Sequence, residues 1–125
     1  MGASDLSDEV RQFLREHIQT VGALDTLLLL QRNSTRAWSL DDIARELRTS
    51  PLGVAGFIRE FITNGLVEEE GAQYKYHPAN SKLEAAVHSL SRDYSIRPVA
   101  VVNAIYSTPD DKIQTFADAF KFKKG

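Results

Sequence analysis

The sequence predicts an α+β fold that is mainly helical and contains one small β-hairpin. Two short amphipathic helices follow one another between Ser39 and Asn64, and a serine stands before the first helical residue of each. Two strand-like segments then flank Gly71, where alternating residues suit a hairpin. Further helices are predicted on both sides of this central segment.

The first central helix is predicted to begin after Ser39. The serine hydroxyl can accept a hydrogen bond from a free amide of the first turn, and Asp41 and Asp42 stand where the helix dipole favours acids. Apolar residues then recur at helical spacing, at Leu40, Ile43, Ala44 and Leu47. Residues 48–50 form the predicted turn.

The second central helix is predicted to begin at Pro51, because proline at the first helical position gives up an amide that has no partner. Gly65 predicts its end. Strands over residues 66–70 and 73–77 follow, and Gly71 lies between them. The predicted inner stripe of the helix is Val54, Ile58, Phe61 and Ile62.

This order of elements resembles a known family. The segments Ser39–Leu47 and Phe61–Val67, with Ser50 between them, look like bacterial winged helix-turn-helix transcriptional regulators. The exit Asn64-Gly65-Leu66-Val67 into an acidic strand is the most telling part, and the resemblance covers roughly half of the chain. It implies that residues 37–39 form a short strand that pairs with the wing.

The predicted organisation is a single domain over residues 1–125. A winged helix core spans residues 23–78. An N-terminal helix at 7–21 and C-terminal helices at 79–121 extend this core. These flanking helices exceed what a minimal winged helix needs, so they either build a homodimer or pack on their own domain, at about even odds.

The resemblance implies a DNA-binding transcriptional regulator. Its recognition helix, about residues 51–64, would enter the major groove of double-stranded DNA, and the wing at 66–77 would contact the adjacent backbone. A homodimer would match a two-fold operator. The candidate DNA-binding residues are Arg36, Arg45, Arg48, Ser50, Leu52, Gly53, Gly56, Arg59, Thr63 and Lys75.

The residue chemistry of this surface favours a different interpretation. Arg59 is the one basic residue on the outward side of the second central helix, whereas base reading relies on Arg, Lys, Asn and Gln. Glu68, Glu69 and Glu70 lead into the wing, and the formal net charge of the chain is −2. Because phosphate contacts supply most of the affinity for nucleic acid, the alternative is a winged helix protein–protein interaction module with no direct DNA binding.

Further helices are predicted outside the central pair. The N-terminal helix begins after Ser7, and Gly22 is its predicted break. A helix over about residues 23–31 is apolar almost all round, which predicts the central helix of the core. Residues 79–94 form another helix, and a final one begins near Pro109 and runs to residue 120.

Residues 96–107 fit either a strand or a helix, because valine favours strands whereas the apolar spacing is helical. We predict a helix. Its predicted apolar stripe is Ile96, Val99, Val102, Ile105 and Tyr106.

Composition bears on the remaining classes of function. Cysteine is absent, so thiol chemistry and thiolate metal sites are excluded. His17, His77 and His88 fall in different predicted elements, and no glycine-rich phosphate loop is present, so we predict no enzyme, metal or cofactor. No apolar run approaches the roughly 20 residues of a membrane span, and the N-terminal segment is acidic. We therefore expect a cytoplasmic protein without a membrane partner.

Overall fold

The computed structural model describes residues 6–106. Within this range the chain is mainly helical and contains one two-stranded antiparallel sheet, as predicted. Residues 98–106 are helical and are called α6 here, whereas the predicted last helix from Pro109 onwards lies outside the described residues. The other elements are α1 Asp8–His17, α2 Val21–Arg32, α3 Leu40–Leu47, α4 Pro51–Thr63, β1 Val67–Glu70, β2 Gln73–Tyr76 and α5 Ser81–Ile96.

Helix α2 lies at the centre of the core. Leu24, Leu27 and Leu30 are fully buried, and Leu28 and Leu29 are nearly so. Helices α3, α4 and α5 and strand β2 all contact α2, and α1 packs on α5. A helix that is apolar all round needs neighbours on every side, so this arrangement agrees with the prediction for residues 23–31.

The boundary between the first two helices differs from the prediction of one helix over 7–21. Helix α1 ends at His17, and the Thr20 hydroxyl accepts an amide hydrogen bond of 3.1 Å that caps α2. Gly22 therefore lies in the first turn of α2 and does not form the break. A Cβ atom at Gly22 would lie 3.3 Å from the Phe57 ring, so the glycine allows close packing of α2 on α4.

Serine caps begin the two central helices where the sequence predicts them. Ser39 accepts a hydrogen bond from the Asp42 amide, and Ser50 accepts one from the Leu52 amide, both at 3.1 Å. Arg48 ends α3 in a left-handed conformation with a φ of 56°. Each cap satisfies an amide that the first helical turn leaves without a partner.

The hairpin is tied to the segment that precedes α3. Strands β1 and β2 pair in antiparallel register, with Val67 opposite Tyr76. Trp38 and Tyr74 exchange two backbone hydrogen bonds of 2.8 and 2.7 Å. The short strand predicted at 37–39 is therefore present as a single bridge to the hairpin.

The inward side of α6 differs from the prediction, although residues 98–106 are helical as expected. Val101 and Ile105 are fully buried, whereas Val99 is 70% exposed. Residue 97 is not helical, so a spacing counted from Ile96 does not continue into the helix that Pro98 begins. The predicted stripe is wrong at its exposed members Ile96, Val99 and Tyr106.

Gly65 and Gly71 provide a matched test of the turns around the hairpin. Both have a positive φ, of 77° and 65°, but a Cβ atom at Gly65 would lie 3.0 Å from the Ala79 Cβ, whereas Gly71 has open space. We expect Gly71→Ala to lower the free energy of unfolding by about 1 kcal/mol through backbone strain, and Gly65→Ala by about 2 kcal/mol or more. Urea denaturation measures both losses. Equal losses would show that the Ala79 contact has no cost.

Candidate functional site

The solvent side of α4 carries half of the predicted contact residues. Helix α4 buries Val54, Ile58 and Phe61 in the core, which turns the opposite side outward. We call the predicted contact residues on this side the α4 face: Leu52, Gly53, Gly56, Arg59 and Thr63, and the Glu60 side chain is exposed beside them.

The first half of the α4 face is apolar and flat. Leu52 is 83% exposed. A Cβ atom added to Gly53 or Gly56 would meet no other atom within 4 Å. Contacts within residues 6–106 therefore do not require either glycine, although glycine inside a helix costs about 1 kcal/mol relative to alanine.

Three of the predicted basic residues keep their charged groups available. Arg48 is exposed in the turn before α4, Arg59 is exposed on the α4 face, and Lys75 is half-buried on β2. Within residues 6–106 their side chains form no hydrogen bond or ion pair. These cations can therefore bind an anion without first giving up a partner in the described part of the chain.

Arg36 and Arg45 are instead held by Asp42. The Asp42 carboxylate lies 3.5 Å from Arg36 and 3.2 Å from Arg45. Arg36 also stacks over Trp38, with its guanidinium carbon 3.6 Å from the ring centroid. One carboxylate thus offsets part of both positive charges, so these two predicted contacts are weaker candidates than Arg48 and Arg59.

The pKa of Asp42 reflects this arrangement. Desolvation by burial acts to raise the pKa, but hydrogen bonds from Ser39 and Arg45 and the charges of Arg36 and Arg45 lower it, and the net shift is downward. Asp42 is therefore ionised at neutral pH and keeps both arginines attracted to it.

The two hydroxyl residues among the predicted contacts already have partners in α4. Ser50 accepts the capping hydrogen bond at the start of the helix, and the Thr63 hydroxyl donates to the Arg59 carbonyl at 3.0 Å. Either group can accept one further hydrogen bond.

A cleft of about 380 Å³ lies between the α4 face and the hairpin. Arg59 and Thr63 line it from α4, and Glu69 and Tyr74 line it from the hairpin. Glu68 occupies the opposite side of β1, as strand alternation predicts, and lies 3.7 Å from His77. An anion that entered the cleft would meet Arg59 together with the Glu69 carboxylate.

Glu60 is also exposed on α4, one turn after Gly56 and adjacent to Arg59 in sequence. The pKa of His17 on α1 is lowered mainly by burial, while the charges of Glu16 and Glu60 act to raise it. Glu60 is thus close to α1, whereas Arg59 lines the cleft beside the hairpin. Consecutive helical residues are about 100° apart around the axis, so the Glu60 carboxylate borders the α4 face but does not line the cleft.

Sequence reasoning missed the cluster of Arg36, Trp38 and Asp42. Two signals were available for it. Residues two apart in an extended segment share one side, which brings Arg36 and Trp38 together. An acid at the third position of a serine-capped helix points back towards the cap, which brings Asp42 to the same place.

No group of three or more His, Cys, Asp or Glu side chains within residues 6–106 is arranged to hold a metal ion. None of the helices over this range combines the length and the apolar character that crossing a bilayer requires.

Comparisons with known proteins do not assign a family. No family model, no curated protein and no solved structure matches this chain. The function of the α4 face is therefore argued from its own residues.

Proposed function

We propose that this chain is a cytoplasmic DNA-binding transcriptional regulator of the winged helix type, with α4 as the recognition helix and the hairpin as the wing. The succession of α2, α3, α4 and the hairpin supports the proposal. The bridge between Trp38 and Tyr74 also supports it, because that bridge supplies the short first strand of such a domain.

The observation that carries the proposal is the pair of open glycines between two unpaired arginines. Gly53 and Gly56 leave the backbone of α4 bare, so a partner can approach it closely. Arg48 precedes these glycines and Arg59 follows them in sequence, and both arginines are exposed. The phosphate backbone of DNA is a partner that uses both close approach and positive charge.

The α4 face is better suited to positioning on DNA than to reading its sequence. Arg59 and Thr63 are its polar side chains, and the Thr63 hydroxyl is already engaged with the helix backbone. Leu52 can contact a thymine methyl group, which is an apolar form of base recognition. We therefore propose binding that depends mainly on phosphates, with modest sequence preference from α4.

Protein–protein interaction is the second candidate function, and Leu52 favours it. A large apolar side chain that is 83% exposed beside two glycines resembles an anchor for a partner surface. Glu69 in the adjoining cleft also favours a partner other than a polyanion.

Leu52→Ser separates the two candidate functions. Because leucine makes no phosphate contact, we expect this change to alter affinity for duplex DNA by less than about threefold. In a protein complex, loss of a buried apolar anchor would weaken binding by about tenfold or more. Two quantities are measured: the affinity for duplex DNA, and the amount of other proteins that co-purify with the chain from cell extract. A large loss of retention with unchanged DNA affinity would support the second candidate.

Arg48→Ala and Arg59→Ala test the phosphate contacts. We expect each to weaken binding to duplex DNA by about threefold to tenfold and to reduce the slope of log affinity against log salt by about one. Fluorescence anisotropy with a random-sequence duplex at several salt concentrations measures both quantities, on protein whose oligomeric state is known from light scattering. We also propose a homodimer, in which each substitution is present twice, so the change in slope would double and the fold-loss in affinity would be squared.

Arg15→Ala is the matched control for these variants, because Arg15 is an exposed arginine on α1. It should leave DNA affinity unchanged. Absence of DNA binding by the unsubstituted protein at low salt would refute the proposed function.

Gly53→Ala and Gly56→Ala separate stability from binding. Alanine meets no neighbour at either position, so we expect Gly56→Ala to raise the free energy of unfolding by about 1 kcal/mol and Gly53→Ala, in the first turn, by less. The added methyl groups should nevertheless weaken DNA binding by about fivefold if the backbone approaches DNA closely. Thermal unfolding and anisotropy provide the two readouts. Variants that are more stable and bind DNA equally well would exclude close approach of the helix.

A further inference from the structure

A separate cleft of about 750 Å³ lies between the last turn of α2 and the second half of α5. Arg32 lines it from α2, and His88 and Arg92 line it from α5. Ser91 and Ser95, which are four residues apart and therefore on one side of α5, add two hydroxyl groups. The cleft thus presents cationic groups and hydrogen-bond donors.

Among residues 6–106, no carboxylate lines this cleft. The chain as a whole has a net charge of −2, and two other clefts in the described part of the chain contain acids. The cleft between α1 and α5 contains Glu9 and Glu16, and the cleft beside the hairpin contains Glu69. The charge at the α2–α5 cleft is therefore opposite to that of the chain.

The two arginines differ in how they are held. Within residues 6–106 the Arg92 side chain forms no hydrogen bond or ion pair, so its guanidinium group is available. Arg32 lies near Asp25, which accepts a hydrogen bond of 3.4 Å from the Tyr94 hydroxyl. Burial raises the pKa of Asp25, and the Tyr94 hydrogen bond and the Arg32 charge partly oppose that rise. Asp25 does not line the cleft, so its charge attracts Arg32 from outside the binding space.

Gln31 also lines the cleft, from the last turn of α2. Its side-chain oxygen is enclosed by the protein and accepts no hydrogen bond from any residue in the described part of the chain. The side-chain amide of glutamine carries two N–H donors, which an anion in the cleft can accept.

We propose that the α2–α5 cleft binds a small organic anion through a phosphate or carboxylate group, with Arg92 and Arg32 as the principal contacts. Guanidinium groups match both of these anions with paired hydrogen bonds. Ile96, which is 62% exposed at the edge of the cleft, provides an apolar wall for the carbon part of the ligand. The site goes beyond DNA binding and does not depend on it.

Isothermal titration of the full chain with pyrophosphate and with citrate tests this proposal. We expect saturable binding of at least one of them, and a loss of about tenfold or more in affinity for Arg92→Gln. Lys82→Gln is the matched control, because it removes a cation from the same helix at the α1–α5 cleft and should leave the affinity unchanged. Tighter binding of pyrophosphate would assign a phosphate ligand, and tighter binding of citrate would assign a carboxylate ligand.

Three results would overturn the proposal. The first is a lack of saturable binding for both anions. The second is an equal loss of affinity in Arg92→Gln and Lys82→Gln, which would reflect overall charge. The third is a loss of duplex DNA affinity in Arg92→Gln as large as the loss for the small anions, which would make the cleft part of a nucleic-acid surface.

Amide chemical shifts locate the bound anion directly. The shifts that change on titration should cluster at residues 31–32 and 88–96, and changes elsewhere would also contradict the site.

Discussion

Covering the leucine-rich helix α2 is the constraint on which the structure depends. Each fully buried leucine contributes about 2 kcal/mol, so a helix with Leu24, Leu27 and Leu30 enclosed is stable only when every side is covered. Helices α3 and α4, strand β2 and helix α5 provide that cover. The surfaces left for ligand binding are therefore the outer sides of the elements that pack on α2 and the clefts between neighbouring elements.

Some arginines of this protein lie beside carboxylates, and others form no ion pair. This difference determines where an anion can bind more than the total number of basic residues does. Asp42 forms ion pairs with Arg36 and Arg45, and the charge of Asp25 attracts Arg32. Arg59 and Arg92, by contrast, lie at the edges of two different clefts and form no ion pair within the described residues. A protein of slightly negative net charge can therefore present a local positive site at the α2–α5 cleft, whereas Arg59 shares its cleft with the Glu69 carboxylate.

Local sequence signals predict the beginnings and ends of the central elements well. Ser39, Ser50 and Gly65 act as the sequence predicts because caps and left-handed turns depend on atoms within a few residues. The prediction of a helix break at Gly22 was wrong. Glycine at this position instead allows close packing against the Phe57 ring, which is distant in sequence. The stripe of α6 was misplaced because the irregular residue 97 interrupts the spacing. The α2–α5 cleft was not predicted at all, since its two walls are more than fifty residues apart in sequence.

The single tryptophan of the chain has an optical consequence. Trp38 is 3% exposed, is covered by Arg36 and is bonded through its backbone to Tyr74, which lines the hairpin cleft. Tryptophan fluorescence therefore originates at one place, beside the hairpin cleft, and a molecule that draws Arg36 off the indole would change this emission without any added label. Occupancy of the α2–α5 cleft should leave that emission unchanged. Tryptophan emission would therefore distinguish binding beside the α4 face from binding at the α2–α5 cleft.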